Sequence, residues 1–426
     1  MMLKFHGAAG QIGRSCIELI TDNGRYLLDA GLWITESGAE FPTDIENLDQ
    51  INAVLISHAH LDHTGALPLL EHNGLKCNVF APKGNKEIVK MLLKDSYKIS
   101  KLNHEHIVYN QFDINKVMDL FLEFNFLEKH KVNDITFSFF KSGHIPGSSS
   151  ILIENNNKKL LYTGDINYSN TRLIHKADLS MGEIDYLITE ATYGNRDHPS
   201  RVEQEILFKE KVLETINNNG SVLIPAFAVG RAQEILLILN DLDLNCPIYI
   251  DGMAKQVTHL FNNDDLIIDK QKYNEIIKKI IFIENHGDRE KIINSQEPCI
   301  VVTTSGMVNG GPIMFYLEHF YNDVNSSIFL TGYQAEGTNG KLISEKKYFI
   351  LDNKNTNLRM NVYHFDFSAH SGLSELKEMI LKLNPKKVVL QHGDPDAIDD
   401  FGNWITQQGI EVYKPNIDDL IFLDEV

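Results

Sequence analysis

The sequence predicts a fold that mixes strands and helices, α/β or α+β, and excludes an all-helical protein. Three observations carry this. Short apolar runs punctuated by glycine fill residues 2–66, and strand-like runs resume after residue 135. From about residue 200, helix and strand patterns alternate in the manner of a parallel α/β unit. A chain of 426 residues has, as a first expectation, about three domains of roughly 150 residues each.

Taken in order, the first strands fall at Met2–His6, Cys16–Ile20, Arg25–Leu28 and Ala53–Ile56, and a helix follows at Gly65–Glu71. Residues 84–128 read as helical and charged, and the lysines from Lys83 to Lys101 read as a solvated helix face. Strands resume at Ile135–Phe140, Ser149–Glu154, Lys159–Tyr162 and Asp185–Thr189. Helix Glu203–Asn217, strand Ser221–Pro225, helix Arg231–Asn240 and strand Pro247–Ile250 begin the alternating part. Strands Cys299–Thr303 and Ser326–Leu330 continue it. The chain closes with strand Asn361–Phe365, helix Leu373–Leu383, strand Lys387–Leu390 and a helix near Asp396–Gln407. A helix-strand unit inserted into another domain fits this rhythm, although periodicity alone does not establish the insertion.

Composition excludes several classes. Hydrophobic residues make up 43% and charged residues 23%, the balance of an ordinary globular protein. The four cysteines, Cys16, Cys77, Cys246 and Cys299, form no Cys-x-x-Cys pair, so reduced thiols and a cytoplasmic location are expected. The N-terminal residues lack the apolar core of a signal peptide, and no apolar run approaches the roughly 18 residues of a membrane span. The formal net charge is −18, which excludes a basic nucleic-acid binder as a description of the whole molecule. A polyanionic substrate would need a local positive site.

The most informative segment is His58-Ala59-His60-Leu61-Asp62-His63, at the end of a strand. Residues two apart on a strand project to the same side, and imidazole nitrogen with carboxylate oxygen suits Zn²⁺. Further candidate ligands sit at strand-to-loop boundaries: His144 in a Gly/Pro-rich turn, Asp165 in Tyr162-Thr163-Gly164-Asp165, and His392 in Gln391-His392-Gly393-Asp394. A carboxylate at Asp165 can bridge two metals. Asp29, after Tyr26-Leu27-Leu28, is a candidate to orient a ligand histidine.

The His-x-His-x-Asp-His run with a later His, a Gly-Asp and a final His resembles the metallo-β-lactamase superfamily. The resemblance implies an αββα sandwich with metals at one sheet edge. His58, His60 and His144 would hold one zinc; Asp62, His63 and His392 would hold the second; Asp165 would bridge them. The cofactors implied are two Zn²⁺ ions per chain.

Further motifs select a branch. Glu190-Ala191-Thr192-Tyr193-Gly194 follows a strand, and Pro225-Ala226-Phe227-Ala228-Val229-Gly230-Arg231 joins a strand to a helix. Ser305-Gly306-Met307, Gly310-Gly311-Pro312 and Gly332-Tyr333-Gln334 come later. Glycines at strand–helix junctions let a helix N-terminus approach an anion. The set resembles the β-CASP nuclease family over nearly the whole chain. It implies a metallo-β-lactamase domain in two parts, 1–195 and 361–426, with an α/β β-CASP domain inserted at 196–360 and nucleic acid in the cleft. Glu190, His370 and His392 match three family motifs, and a histidine at 392 is typical of RNA-cleaving members. Ser368-Ala369-His370 resembles the cleavage-and-polyadenylation endonuclease branch more than ribonuclease J. One departure is Gly372, where the family often has Asp. The catalytic segment begins at once, so the likeness is to short members without KH domains.

The resemblance implies a zinc-dependent ribonuclease, in which two metals activate water and neutralise phosphate charge. Asp62 belongs to that machinery, His370 would be the general acid, and Glu190 would hold its ring. Products would be a 3′-hydroxyl and a 5′-phosphate. Arg231 is a candidate phosphate clamp, with a structural ion pair as its alternative, and Ser368 a candidate phosphate contact or a turn cap. RNA, single-stranded by expectation, is the partner; no membrane partner is expected, and a homodimer, common in the family, stays open. Endonuclease and 5′-to-3′ exonuclease activity are both compatible with the sequence. A non-catalytic scaffold subunit and a small-molecule hydrolase are the other classes. The first usually loses metal ligands, and the second lacks the insert and the His370 motif. Two Zn²⁺ set against Asp62, Asp165 and one hydroxide would leave the centre locally positive despite the acidic chain.

Overall fold

The computed structural model describes residues 1–35, 38–43, 45–262, 266–295 and 297–424. The chain divides into two compact units. The first comprises Met1–Asn170, Lys176–Asp197 and His370–Val426; the second comprises Thr171–His175 and His198–Ala369.

The first unit is built on two seven-stranded sheets. In spatial order, one runs Leu420–Phe422, Met2–Phe5, Ile17–Ile20, Arg25–Leu28, Ala53–Leu55, Val79–Pro82 and Phe121–Phe124. The other runs Glu411–Tyr413, Lys387–Gln391, Tyr186–Glu190, Lys158–Tyr162, Ser149–Asn155, Ile135–Lys141 and His130–Val132. Period-two alternation explains how they stack. Leu3, Phe5, Ile17, Leu19, Tyr26 and Leu28 of the first sheet share one core with Phe137, Phe139, Ile151, Ile153, Leu160 and Tyr162 of the second.

The intervening residues of the second sheet point the other way. Phe140, Leu152, Leu161, Leu187, Val388 and Leu390 join a separate core with two helices, Leu373–Leu383 and Pro395–Gln407. Those helices face it with Leu376, Met379, Ile380 and Leu383 and with Ile398, Phe401 and Ile405. That spacing puts each set on one helical face. Helices Lys86–Leu102 and Gln111–Leu120 bury Ile88, Val89 and Leu93 and Ile114, Val117 and Met118. The αββα layering expected from the sequence is therefore present.

The second unit contains a six-stranded sheet in the order Ile281–Phe282, Ile248–Ile250, Ile300–Thr303, Val222–Pro225, Ser327–Leu330, Asn361–His364. Every neighbouring pair is parallel. Parallel strands need crossovers, and helices such as Arg231–Leu239, Lys270–Lys279 and Pro312–Phe320 lie between them in sequence.

Three expectations are corrected. The helical reading of 84–128 ends too late: Phe121–Phe124 is an edge strand parallel to Val79–Pro82, and its Phe-Leu-Glu-Phe run carries the aromatic content that strands favour. The helix expected at Gly65–Glu71 is two short helices, Leu61–Thr64 and Leu67–His72. Finally, strand Asn361–His364 pairs with Ser327–Leu330, so the second unit runs on to Ala369, past residue 360, and it also takes in Thr171–His175. No helix among the described residues is long and apolar enough to cross a membrane.

Phe137 is fully buried between the two sheets. Phe137→Ala should destabilise the first unit by about 3–5 kcal/mol, read as a fall in its denaturant midpoint. An unchanged midpoint would contradict the shared core.

Candidate metal centre

The site is assembled where parallel strands end. Lys158–Tyr162, Tyr186–Glu190 and Lys387–Gln391 are mutually parallel neighbours, so Asp165, Glu190 and His392 emerge at their carboxyl ends. Arg25–Leu28 and Ala53–Leu55 are likewise parallel, and Asp29 and Ser57-His58 follow them. Carboxyl ends of parallel strands are the usual place for a site in such sheets.

The turn from His58 to His63 is fastened by its own backbone. His63 and Thr64 N–H groups donate to the His60 carbonyl, at 3.0 Å each. Gly31 packs directly on this turn: a Cβ at that position would lie 1.6 Å from the Asp62 carbonyl oxygen. Only glycine permits such an approach. The His144 turn is held by Ser148, whose Oγ accepts from the N–H groups of His144 (3.2 Å) and Ile145 (3.1 Å).

Two groups of side chains converge. His58, His60, His144 and Asp165 form one, and Asp62, His63, Asp165 and His392 form the other; in each, one potential ligand atom per residue lies within 4.8 Å of all the rest. His60 Nδ1 is 3.1 Å from His58 Nε2 and 3.2 Å from His144 Nε2. Asp165 Oδ2 is 3.6 Å from His58 Nε2 and 3.5 Å from His144 Nε2. Its other oxygen, Oδ1, is 3.3 Å from His63 Nε2. His392 Nε2 is 3.3 Å from Asp62 Oδ2. Asp165 thus turns one oxygen toward each group, and it is almost fully buried.

The donor set fits divalent metal. His63 Nε2 and Asp165 Oδ1 are both buried and have no hydrogen-bond partner, despite lying 3.3 Å apart. Buried polar atoms are normally satisfied, and a cation accepting both would satisfy them. Burial holds His58 well below the usual imidazole value and also lowers His60, which favours the neutral ligating form. At His63 burial acts in the same direction, but Asp165, Asp29 and Asp62 outweigh it and raise the value. The same carboxylates make that side of the site attractive to positive charge.

Asp29 organises the support. Its Oδ2 accepts from His63 Nδ1 (2.6 Å), Ser57 Oγ (2.7 Å) and Tyr162 OH (2.6 Å), and its Oδ1 accepts from the Ser57 N–H (2.7 Å). Asp29 and His392 both have left-handed backbone, φ +60° and +48°. That conformation is uncommon for residues other than glycine and collects at functional sites.

A third group joins Asp165, Glu190 and His370. His370 Nδ1 lies 2.9 Å from both oxygens of the buried Glu190, and Glu190 Oε1 also accepts from the Ile166 N–H at 2.7 Å. Burial works to lower the His370 value, but Glu190 and Asp165 outweigh it and lift it to about 9. The His370 ring centroid is 4.6 Å from that of His144.

The structure therefore brings together His58, His60, Asp62, His63, His144, Asp165, Glu190, His370 and His392, with Asp29 behind them. Arg231 and Ser368 belong to the second unit. Arg231 opens helix Arg231–Leu239, and the Ser368 N–H donates to Asp366 at 3.2 Å. Sequence reading missed Ser57 and Tyr162, which share the Asp29 carboxylate. It also missed Thr192, whose Oγ1 is 3.3 Å from His392 Nδ1. Their signal was adjacency: Ser57 precedes the histidine run, Tyr162 ends the strand before Asp165, and Thr192 lies within the Glu190 motif.

Known families match all three stretches of the chain. A metallo-β-lactamase superfamily domain matches residues 19–192, a Beta-Casp domain residues 232–343, and a Zn-dependent metallo-hydrolase RNA specificity domain residues 356–415. The chain is 42% identical to the probable RNase MJ4 of Methanocaldococcus jannaschii, over 99% of this chain and 100% of that protein. It is 32% identical to the RNase aCSPSF2 of Saccharolobus solfataricus, covering 97% and 83%. Cleavage and polyadenylation specificity factor 73 of Drosophila melanogaster is 32% identical, covering 93% of this chain and 60% of that protein. A crystal structure of an Enterococcus faecalis protein of unknown function shares the fold, with TM-score 0.64, 14% identity and 99% coverage of both chains. Buried histidines and aspartates in this arrangement, on this fold and with a relative 42% identical over its whole length, mean that the chain belongs to the metal-dependent ribonucleases of the β-CASP family, built on the metallo-β-lactamase fold.

Proposed function

We propose that the chain hydrolyses single-stranded RNA with two zinc ions, leaving 3′-hydroxyl and 5′-phosphate ends, in RNA processing or decay. The observation that carries this reading is the buried Asp165 carboxylate, with one oxygen toward each of two histidine-rich groups. His58, His60 and His144 would hold one ion, and Asp62, His63 and His392 the other. Zinc accepts such mixed imidazole and carboxylate sets. Bound there, the pair would supply Lewis acidity that activates water at neutral pH and offsets charge on the phosphate.

The chain's own residues do the rest. Asp29 accepts from His63 Nδ1 and so turns Nε2 of that ring toward Asp165. Glu190 engages His370 Nδ1, so the proton delivered to the leaving 3′ oxygen would come from Nε2. The carboxylate also favours the protonated ring before transfer. Arg231 would pair with an RNA phosphate and Ser368 would hydrogen-bond one. Contacts of this kind carry no base information, so weak sequence preference follows.

RNA labelled at its 5′ end tests the reading. Wild-type protein loaded with zinc should shorten it and leave 3′-hydroxyl ends; labelled fragments of intermediate length would mark an endonuclease, and early labelled mononucleotide a 5′-to-3′ exonuclease. Asp62→Ala should abolish cleavage and lower metal content. His370→Ala should retain metal and slow cleavage by about 10²–10⁴-fold. Wild-type rates in both variants would overturn the mechanism. Asp29→Asn should weaken metal affinity by about 10–100-fold, measured by competition with a chelator. An unchanged affinity would remove Asp29 from the support of the site.

A further inference from the structure

Trp33–Thr35 pairs antiparallel with Gly38–Glu40 in a two-stranded sheet outside both large sheets. It presents large apolar side chains to solvent: Trp33 is 40% exposed and Ile34 65%. Consecutive residues point to opposite sides of a strand, so exposure of both means that neither face of this strand is covered by a core. An isolated exposed apolar residue is ordinary. Trp33 differs in how it is held and in what it is attached to.

The indole rests on Gly13. A Cβ at Gly13 would lie 2.9 Å from Trp33 Cδ1 and 3.2 Å from Cγ, and Gly13 has φ +92°, so only glycine lets the ring settle there. The ring therefore has a backbone seat on one side while much of its surface stays open.

The segment leading to Trp33 is bonded at Ala30 and Leu32 to the turn that carries Asp62 and His63, and residues 14 and 15 join both. The Ala30 N–H donates to the His63 carbonyl at 2.8 Å, the Leu32 N–H to the Leu61 carbonyl at 2.9 Å, and the Ser15 N–H to the Asp62 carbonyl at 2.7 Å. The Arg14 N–H closes the set on the Leu32 carbonyl at 3.3 Å. Gly31 touches the Asp62 backbone, and Trp33 is two residues further on, a span of about 7 Å at most. The ring is thus fixed to the same short stretch of backbone as the proposed metal ligands.

Charge favours an uncharged contact here. The chain carries a formal −18, so RNA gains little from the general surface field. Arg14, joined through its backbone to Leu32, has its guanidinium paired with Glu40 at 3.6 Å and donating to the Phe41 carbonyl at 3.2 Å. An exposed, seated aromatic ring offers stacking, which every nucleobase can accept and which does not depend on net charge.

We propose that Trp33 is a base-stacking platform for a nucleotide of single-stranded RNA bound at the metal centre. The inference rests on the RNA-hydrolase reading above and adds a subsite to it. Trp33 is a binding residue, so its loss should act on KM more than on kcat.

The test uses a Trp404→Phe protein, in which Trp33 is the one remaining tryptophan of the chain's two. A hydrolysis-resistant phosphorothioate RNA oligomer should quench its fluorescence, and an abasic oligomer of equal length should not. In the otherwise wild-type protein, Trp33→Ala should raise KM for RNA by about 5- to 150-fold, the range that loss of one stacked base allows, with kcat nearly unchanged. Trp33→Phe should restore most of the loss, which a merely structural role would not predict. Unchanged emission at saturating oligomer, or a Trp33→Ala protein with wild-type KM, would overturn the proposal. Hydrolysis of RNA by the wild-type protein is read separately, so failure of the stacking subsite and failure of the RNA-hydrolase reading give different results.

Discussion

The buried carboxylate of Asp165 is the constraint on which the rest of the site depends. Its two oxygens face different histidine groups, and an isolated carboxylate so deeply buried would be costly to ionise. Burial would raise its value, yet His392, His63 and His370 hold it well below the usual carboxylate range. The imidazoles and the carboxylate are therefore mutually dependent. Removing either would leave the other buried without compensation.

The fold supplies this arrangement by bringing strand ends together. Three parallel strands of one sheet deliver Asp165, Glu190 and His392, and two of the other deliver Asp29 and the His58–His63 turn. Both sheets share one core, which fixes those ends against each other. Asp29 then ties the two sheets chemically, because it accepts from Ser57 and His63 of one side and Tyr162 of the other. The acidic surface and the imidazole-rich interior serve different ends: the charge sum describes the first, and the function follows the second.

Much of this was legible in the sequence. Ligand candidates stood out because each follows an apolar strand, and strand ends are where side chains can converge. The layered fold followed from the resemblance those residues carry. Less legible was everything set by tertiary contact. Phe121–Phe124 is continuous in sequence with a helix, and only its pairing beside Val79–Pro82 makes it a strand. Asn361–His364 has the same local pattern whichever unit it joins, and its pairing with Ser327–Leu330 decides. Ser57 and Tyr162 are unremarkable residue types that matter because both reach Asp29. Trp33 gave no periodic signal, since its neighbour Ile34 is exposed as well.

In the proposed centre Asp165 lies between two metal positions. Anomalous diffraction at the zinc edge from crystals of the zinc-loaded protein tests it most directly. Two peaks are expected, one at His58, His60 and His144 and one at Asp62, His63 and His392, with the Asp165 carboxylate between them. A single peak, or peaks away from these residues, would contradict it.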